Sequence, residues 1–381
     1  MAMQFDFNKI LKGDIKDISS IFSFSSNKNL GGSALGIDVG SSSIKVVQIK
    51  KNKGKTVLET YGVLSLGPYV GDEMGSLTNL STENLLKALN DVISESNVTS
   101  KNGAISIPSS SSLIFNIELP DNIEESKLKE VVPMEARKFV PVPISEVALD
   151  WFIIPDEISE LYESDNTGEL KKEVFIVAIH NDVLIKYKDL LSGVSIHTNA
   201  MEMEIFGNMR SSLPKHESAP VLFIDFGASS VKVYIVESGI VRIFHIVNRG
   251  GAEITRNISQ SIGVSFKEAE DLKKNVGLDF TKDAKVSEII KSSIDYILTE
   301  ANSIVLNFEK KYNKKVGKVV LVGAGSLLSG FSEYSSEKFN KEVVKGDPFS
   351  KIDHPAFLDQ ILKESGPEFS VAIGLALKQL S

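Results

Sequence analysis

The chain has 381 residues, of which 42% are hydrophobic and 24% are charged. These proportions are typical of a folded protein with two or three domains and exclude a disordered chain. The formal net charge of −8 disfavours nucleic acid and anionic lipid as the main partner. The absence of cysteine excludes disulfides, thiolate metal sites and a cysteine nucleophile. No apolar run is long enough for a membrane span and the start carries no export signal, so we expect a cytoplasmic protein.

Residues 1–33 differ from the rest of the chain and are predicted to form an N-terminal extension and linker. Their apolar residues recur at helical spacing, namely Phe7, Leu11, Ile15, Ile18 and Phe22. The polar run that follows, SFSSNKNLGGS, is typical of a linker. The extension is either an amphipathic docking helix, for a partner or a membrane surface, or a segment that lies on the domain. Its few cationic residues favour the second interpretation.

The next part of the chain predicts strands alternating with helices. Apolar and β-branched runs predict strands at 34–40, 43–50, 56–66, 104–110, 113–119, 147–154 and 173–179. Apolar residues three and four apart predict helices at 82–94, 124–140 and 181–191. Pro133 should kink or delay the second of these helices.

The opening pattern then repeats, because residues 221–247 again predict strand, turn, strand, turn, strand. Aligning Ile37–Val46 with Ile224–Val233 matches Ile, Asp, Gly, two Ser, Lys and Val at equivalent places. Two copies so far apart predict a duplicated domain and not a short-period solenoid. Helices are expected from 252 to 313, with breaks near Gly263 and Gly277, and again at 368–380.

The first repeated loop contains Asp38, Gly40, Ser41, Ser42 and Ser43 at a strand-to-strand turn. Glycine lets backbone N–H groups approach a ligand oxygen, and small serines add hydroxyl donors. A row of such donors forms a concave anion site that suits phosphate. Phosphate would repel Asp38 unless a cation lay between them, and Mg²⁺ with retained water ligands is such a cation. Lys45, on the returning strand, can neutralise the terminal phosphates.

The second loop offers the same chemistry through Asp225, Gly227, Ala228, Ser229 and Ser230. Two opposed loops would clamp phosphates from both sides, with Asp38 and Asp225 as the metal ligands. A single loop of this kind is usually a structural turn, so the duplication carries the prediction. A third turn, Gly323-Ala324-Gly325-Ser326, either brings backbone close to a base or ribose or is only a tight strand-to-helix connection.

These motifs resemble a known family. IDVGSSSIKVVQI, IDFGASSVKVYIV, VVLVGAGSLLSG and AIGLAL resemble, in order, the two phosphate motifs, the adenosine motif and the second connecting helix of the actin-like ATPases. GAISIPSSSSLIFNIELP, MEARKFVPVPISEVALDWFII and AMEMEIFG resemble, more narrowly, the type IV pilus assembly protein PilM family, which is related to the division protein FtsA. The resemblance covers residues 34 to 380.

The resemblance implies an α/β, actin/Hsp70-like (ribonuclease H-like) duplicated fold, with a nucleotide between two lobes. It also implies a small subdomain of the FtsA type inserted in the first lobe. The expected boundaries are 34–101 and 173–215 for the first lobe, with a C-terminal helix at 367–381, then 102–172 for the inserted subdomain and 216–366 for the second lobe.

ATP and Mg²⁺ are the cofactors that the resemblance implies. The residues that fall on the first phosphate motif are Asp38, Gly40, Ser41, Ser42 and Lys45, those on the second are Asp225, Gly227, Ser229 and Ser230, and those on the adenosine motif are Gly323, Gly325 and Ser326. Gly250, Gly251, Glu270 and Lys273 fall where family members contact ribose and base. Glu270 and Lys273 also fit a plain solvated ion pair, since they are three apart on a helix.

Glu204 falls where active relatives place a group that orients the attacking water, so Glu204 and Asp225 are the candidate catalytic residues. Glu202 is the close competitor, and a helix-capping carboxylate is the alternative role of Glu204. Ala228 stands where several ATPases carry a polar residue, which disfavours efficient hydrolysis. Enzymatic activity is therefore left open, with weak or no ATPase activity expected.

The resemblance further implies a place in the inner-membrane platform of the type IV pilus. The expected partner is the cytoplasmic N-terminal peptide of a PilN-like protein, in the cleft beside the inserted subdomain, together with other platform components. Membrane contact is expected only through these partners, and a homo-oligomer is left open. Residues 137–143, RKFVPVP, either flank the peptide groove or form a simple loop.

The alternatives are an FtsA-like division protein or an actin-like ATPase of another role. The ending LKQLS lacks the basic amphipathic tail of FtsA, which favours the pilus interpretation.

Overall fold

The computed structural model describes residues 32–155, 171–213 and 217–380. The predicted amphipathic segment at 7–22 lies outside the described residues. Residues 160–170 of the polar stretch 160–172, between two predicted strands, lie outside them as well. The described residues contain thirteen strands: β1 Ser33–Val39, β2 Ser43–Asn52, β3 Lys55–Ser65, β4 Asn102–Ile107, β5 Ser112–Pro120, β6 Val147–Ile153, β7 Lys171–His180, β8 His197–Met203, β9 Val221–Phe226, β10 Val231–Glu237, β11 Ile240–Val247, β12 Lys318–Val322 and β13 Glu342–Lys345.

The same ranges contain ten α-helices: α1 Thr82–Glu95, α2 Glu125–Ala136, α3 Asn181–Gly193, α4 Glu204–Ser212, α5 Gly251–Ile262, α6 Phe266–Val276, α7 Ala284–Tyr312, α8 Phe331–Phe339, α9 Asp359–Ser365 and α10 Ser370–Gln379. Polar side chains or glycines mark several helix ends. Ser81 caps α1 by accepting a hydrogen bond from Asn84, and Ser265 and Glu268 form a capping box at α6. Gly263 and Gly277, both at positive φ, separate α5, α6 and α7 where breaks are predicted.

Two five-stranded sheets share one topology. Their strand orders are β3-β2-β1-β4-β8 and β11-β10-β9-β12-β13. The third strand in each order, β1 or β9, is antiparallel to the next strand in sequence and parallel to the strand on its other side. This common order establishes the duplication that the repeated loops predict.

Both central strands are apolar runs buried on two faces. Strand β1 reads SALGIDV and β9 reads VLFIDF, and all residues after Ser33 in these strands are buried. Continuous apolar strands of this kind require cover on both sides of a sheet. Each run ends in an aspartate followed by one residue and a glycine, so the two loops leave equivalent edges of the two sheets.

The inserted subdomain is a three-stranded antiparallel sheet with the order β5-β7-β6, covered by helix α2. Its limits differ from the predicted 102–172 at both ends. Strand β4 belongs to the first lobe, where it pairs with β1, and β7 belongs to the small sheet as far as His180. Both segments are short apolar runs, and such a run does not reveal which sheet it joins.

Helix α10 packs against the sheet of the first lobe and against α4. Glycines allow its backbone to approach β1 and α4, because a Cβ added at Gly36 would lie 1.8 Å from the carbonyl oxygen of Ala372. A Cβ added at Gly374 would lie 2.0 Å from the carbonyl oxygen of Gly207. One buried apolar cluster continues from this lobe into the second and includes Ile37 and Phe223. Within the described ranges no helix combines the length and apolarity needed to cross a bilayer.

Candidate functional site

A cavity of about 870 Å³ lies between the two lobes, and both repeated loops line it. Gly40 and Gly227 therefore face one space from opposite sides. The predicted site residues that line it are Asp38, Gly40, Ser41, Ser42, Ser43, Lys45, Glu204, Asp225, Gly227, Ala228, Ser229, Ser230, Gly251, Glu270, Lys273, Gly323 and Gly325.

Gly250 and Ser326 do not line the cavity but support loops that do. A Cβ at Gly250 would lie 2.4 Å from the carbonyl oxygen of Ala228, so this glycine allows α5 to approach the second loop. Ser326 is fully buried and its hydroxyl donates to the carbonyl oxygen of Gly323 at 2.7 Å. In this structure both residues make contacts that support the loops, and their predicted ligand contacts stay predictions.

Each of the two loops is closed by an equivalent backbone hydrogen bond. The N–H of Gly40 donates to the carbonyl oxygen of Ser43 at 3.0 Å, and the N–H of Gly227 donates to that of Ser230 at 3.1 Å. A Cβ at either glycine would lie 3.1 Å or less from the same carbonyl oxygen, which explains the residue type. Each bond closes a small loop whose two intervening residues line the cavity, namely Ser41 and Ser42 in the first loop and Ala228 and Ser229 in the second.

Asp38 and Asp225 end the two central strands and are buried. Asp38 accepts a hydrogen bond from the hydroxyl of Ser106 at 2.9 Å, and Asp225 accepts one from Asn208 Nδ2 at 3.1 Å. Burial raises the pKa of both carboxyls, that of Asp225 to about 6, although Lys45 and Lys232 respectively oppose the shift.

The donor set suits a metal ion that arrives with a phosphate. Among the described residues, no group of three or more His, Asp or Glu side chains has the arrangement of a metal site. Two buried carboxylates beside two anion-binding loops match Mg²⁺, which uses one or two carboxylates and completes its coordination with phosphate and water.

Lys232 is the site residue that the sequence interpretation missed. Its Nζ lies 3.2 Å from both carboxylate oxygens of Glu204 and 3.7 Å from Oδ2 of Asp225. Although burial opposes the change, the Glu204 carboxylate, followed by that of Asp225, raises the pKa of Lys232. The signal was present in the repeat, because Lys232 is the equivalent of Lys45. Lys45 instead donates to the Ser43 hydroxyl at 2.9 Å, within its own loop.

Glu204 lines the cavity, whereas Glu202, the alternative candidate, does not. Glu202 is buried outside the cavity lining, where Arg210 binds both of its carboxylate oxygens and Lys378 lies 3.3 Å away. Burial opposes the shift, but Arg210 and Lys378 lower the pKa of Glu202. Glu204 faces the cavity, and its Oε1 accepts a hydrogen bond from the backbone N–H of Ser109 at 2.8 Å.

Glu270 and Lys273 form a mostly buried pair rather than a solvated one. Lys273 Nζ donates to Glu270 at 2.6 Å, to the Thr255 hydroxyl at 2.8 Å and to the carbonyl oxygen of Gly251 at 3.0 Å. Burial opposes the shift, but Lys273 lowers the pKa of Glu270. These bonds hold a carboxylate and an ammonium at the edge of the cavity, where they can meet hydroxyl groups of a ligand.

The third glycine turn, at residues 323–326, depends on close packing of its backbone. Gly323 has a φ of 80°, and a Cβ there would lie 2.6 Å from Oδ1 of Asp225. A Cβ at Gly325 would lie 2.4 Å from the Phe226 ring. The second and third motifs therefore fit directly against each other.

A segment of the first lobe also reaches across the cavity, which the sequence did not reveal. Thr78 donates from its N–H and its hydroxyl to the carbonyl oxygen of Ser41, at 2.9 and 3.0 Å. Gly75, three residues earlier, packs against Glu270 of the second lobe, since a Cβ there would lie 3.3 Å from Cδ of that side chain.

Comparison with known proteins agrees with this geometry. Cell division protein FtsA of Borreliella burgdorferi is 25% identical over 391 residues, with 90% of each chain covered. The chain spans 55% of FtsA from Buchnera aphidicola (subsp. Schizaphis graminum) and 34% of FtsA from Streptococcus pneumoniae, so it covers about half or less of these two relatives.

Solved structures share the fold. The PilM-PilN type IV pilus biogenesis complex matches with a TM-score of 0.76 and 20% identity, covering 91% of this chain and 98% of that one. MreB 5 of Spiroplasma citri bound to AMPPNP matches with a TM-score of 0.50 and 11% identity, covering 91% and 95%. These likenesses confirm the predicted actin-like fold.

A family model described as type IV pilus assembly protein PilM matches residues 36–380, which is nearly the whole described chain. With the duplicated sheets, the paired loops and this match together, the chain belongs to the type IV pilus assembly protein PilM family.

Proposed function

We propose that this chain is an ATP-binding component of the type IV pilus assembly platform that binds the cytoplasmic N-terminal peptide of a PilN-like protein. The observation that carries the proposal is the convergence of two equivalent loops on one cavity, each with a buried aspartate behind it. Membership of the PilM family supports the pilus role, and the structural likeness to a PilM-PilN complex supports the partner.

The cavity residues divide the work of holding ATP. The two loops would bind the phosphates through backbone N–H groups and serine hydroxyls, while Lys45 and Lys232 offset their charge. Asp38 and Asp225 would hold Mg²⁺, which when bound neutralises the charge between carboxylates and phosphates. Glu270 and Lys273 would orient the ribose side. AMPPNP bound to MreB 5, which shares the fold, supports a nucleotide as the ligand.

Hydrolysis is a secondary matter in this proposal. Glu204 is the candidate to orient water, yet both of its oxygens already contact protein, through Ser109 and Lys232. These contacts still leave acceptor sites on the carboxylate, but Ala228 gives the second loop no polar side chain at the position where several ATPases carry one. We therefore propose slow turnover, with binding as the main role.

The partner peptide would occupy the surface beside the inserted sheet. Phe139 stacks on Phe115 of β5 with ring centroids 5.0 Å apart, and half of its side-chain surface is still exposed. Met134 of α2 is exposed as well, so apolar area remains uncovered here. Strand β5 is also an edge of the small sheet, where an added peptide strand can pair.

One experiment with two readouts tests the proposal. Calorimetry should show binding of Mg·ATP to the wild-type chain and a loss of at least about tenfold in Gly227→Ala, because the added Cβ would crowd the second loop. Gly317→Ala is the matched control, since its Cβ meets only ordinary contacts at 3.5 Å and beyond. It should bind Mg·ATP as the wild type does.

The second readout is capture of a synthetic N-terminal peptide of the PilN-like partner by the apo and the ATP-loaded chain. We expect capture, with a different yield in the two states. No capture in either state would remove the pilus assignment. Absence of Mg·ATP binding by the wild type would remove the nucleotide proposal independently.

An FtsA-like division role is the second candidate, favoured by the coverage of 90% of each chain in the FtsA comparison. Filament formation with Mg·ATP, seen by electron microscopy, together with flotation of the full chain on liposomes, would favour it. The pilus proposal expects neither result without the partner.

A further inference from the structure

The chain enters the inserted subdomain across the wall of the nucleotide cavity. Strand β4 ends at Ile107, one short turn covers Ser109–Ser111, and β5 begins at Ser112. Pro108 and Ser110 line the cavity, and Ser109 between them is fully buried. This turn is thus shared by the cavity and the small sheet.

Glu204 holds the turn by one hydrogen bond to its backbone. The N–H of Ser109 donates to Oε1 of Glu204 at 2.8 Å. The Ser109 hydroxyl is buried without a partner among the described residues, so the backbone bond is the polar contact of this residue with the site. Glu204 itself is at the first position of α4 and is held on its other side by Lys232.

Lys232 belongs to the second lobe and lies beneath the second loop. It is paired with Asp225 across the β9–β10 hairpin, and a Cβ at Gly227 would be 3.5 Å from its Nζ. An anion bound by this loop would therefore compete with Glu204 for the same ammonium group. Both side chains are buried, where such competition between charges is strong.

We propose that Lys232, Glu204 and the backbone of Ser109 form a relay that signals occupation of the phosphate site to the inserted subdomain. When the second loop holds a terminal phosphate, Lys232 turns toward it and loosens its pair with Glu204. Glu204 then holds the Ser109 turn differently, and the start of β5 changes its stability. Lys232 is a positioning residue in this inference, which rests on the proposed nucleotide function.

The test measures hydrogen exchange of the backbone amides of residues 110–119 in the full chain. It compares the apo state, Mg·ADP and Mg·AMPPNP, each at saturating concentration verified by calorimetry. The variants are Lys232→Met, which removes the ammonium, and Ser109→Pro, which removes the backbone donor together with the Ser109 hydroxyl. Proline suits that position because Ser109 begins the turn and Pro108 before it is extended, with a ψ of 135°. Ser109→Ala keeps the donor and is the matched control.

We expect exchange of this segment in the wild type to differ between Mg·AMPPNP and Mg·ADP by about fivefold or more, a typical size for coupling between sites. Ser109→Ala should keep the difference, and Ser109→Pro should lose it with nucleotide affinity unchanged. Lys232→Met should bind nucleotide more weakly, since it removes a phosphate-facing charge, and should lose the difference once nucleotide is raised to the saturation that calorimetry verifies. Equal exchange in the two wild-type states, or a difference that survives in both variants, would overturn the relay.

Failure of the proposed function gives a different result. If the wild type binds neither nucleotide by calorimetry, the nucleotide proposal falls and the relay falls with it. If nucleotide binds without any change at 110–119, the relay alone is wrong. Should Lys232→Met fail to fold, Ser109→Pro still decides the question, because it leaves every charge of the site in place.

Discussion

Asp225 shows how one buried carboxyl can make the apo fold sensitive to pH. Its oxygens face Asn208 and Lys232, with Glu204 and Asp38 near enough to repel it. Burial raises its pKa to about 6, compared with 3.8 for an unperturbed aspartate. The folded chain therefore binds the proton more tightly than the unfolded chain does, so the contribution of Asp225 destabilises the fold as pH rises from about 4 to about 6.

We predict that Asp225→Asn stabilises the nucleotide-free chain at pH 7.5 by roughly 2–3 kcal/mol, because the neutral amide removes the cost of ionising this site. The gain should shrink toward zero near pH 4, where the folded wild type is already protonated. Denaturant unfolding at both pH values measures it. Asp271→Asn, at an exposed position, is the control and should change little at either pH. Equal gains at both pH values would contradict the prediction.

The sequence predicted the residues of this site unevenly. The repeated motif located Asp38, Asp225 and both glycine loops, because each motif is a local pattern at the end of a strand. Lys232 could have been found by assigning the role predicted for Lys45 to its equivalent in the second copy of the repeat. Asn208 and Ser106 could not, since their bonds to Asp225 and Asp38 join side chains 17 and 68 residues apart, and no local pattern shows such pairs.

At the level of elements, helix α10 determines how closely the parts of the first lobe can pack. It touches α4 and β1 through glycines on both sides of the contacts. Its neighbour Pro367 also accepts a hydrogen bond from the N–H of Gly323 at 2.9 Å, so the start of the helix is bonded to the third glycine turn. Packing of this helix and the shape of the cavity therefore depend on one another.

We predict that Gly374→Ala destabilises the chain by about 1–3 kcal/mol, because the new methyl group would overlap the backbone of Gly207 and force α10 away from α4. Mg·ATP affinity should fall as well, because a shift of α10 would move Pro367 and with it the third glycine turn, which lines the cavity. Thermal and denaturant unfolding measure the first effect and calorimetry the second. A variant as stable as the wild type would show that α10 is not closely held.

The existence and type of most helices and strands followed from the sequence, but β8 and β13 were not predicted, and the sheet membership of β4 and β7 was not evident. Strands β4 and β7 were both expected as strands, but the boundaries of the inserted segment were misplaced around them. Membership depends on which apolar face pairs with which neighbour, and two runs as similar as NGAISI and VFIVAI do not encode that choice locally.

For the whole molecule, a buried charge cluster joins the inserted sheet to the second lobe. Arg242 of β11 is fully buried and contacts Glu173 of β7 and Glu237 of β10, each at 3.0 Å. Asn116 of β5 bonds Glu173 and the backbone of Arg242, and Tyr312 of α7 donates to Glu173 at 2.8 Å. The small sheet therefore has polar attachments to the second lobe as well as its covalent connection to the first.

We predict that Arg242→Met destabilises the chain by about 2 kcal/mol or more, because two buried carboxylates lose their shared cation and retain the partly exposed Lys311 and Lys314 as ionic partners. Arg249→Met is the control, since Arg249 is only partly buried, pairs with Glu253 at 3.6 Å and lies over the Tyr296 ring, so its loss should cost only about 1 kcal/mol. Denaturant unfolding measures both variants. Similar losses in the two would mean that the buried cluster contributes no more than an ordinary surface pair.

The position of α10 in the amino-acid order has a consequence for synthesis of the protein. The ribosome synthesises the whole second sheet, from Val221 to Lys345, before it synthesises the helix that covers β1. During translation the first lobe therefore has an uncovered apolar face, although its own strands are synthesised first. The apolar face of β1 and β2 that this helix covers can therefore be buried in the native way only after residues 370–379 have emerged from the exit tunnel.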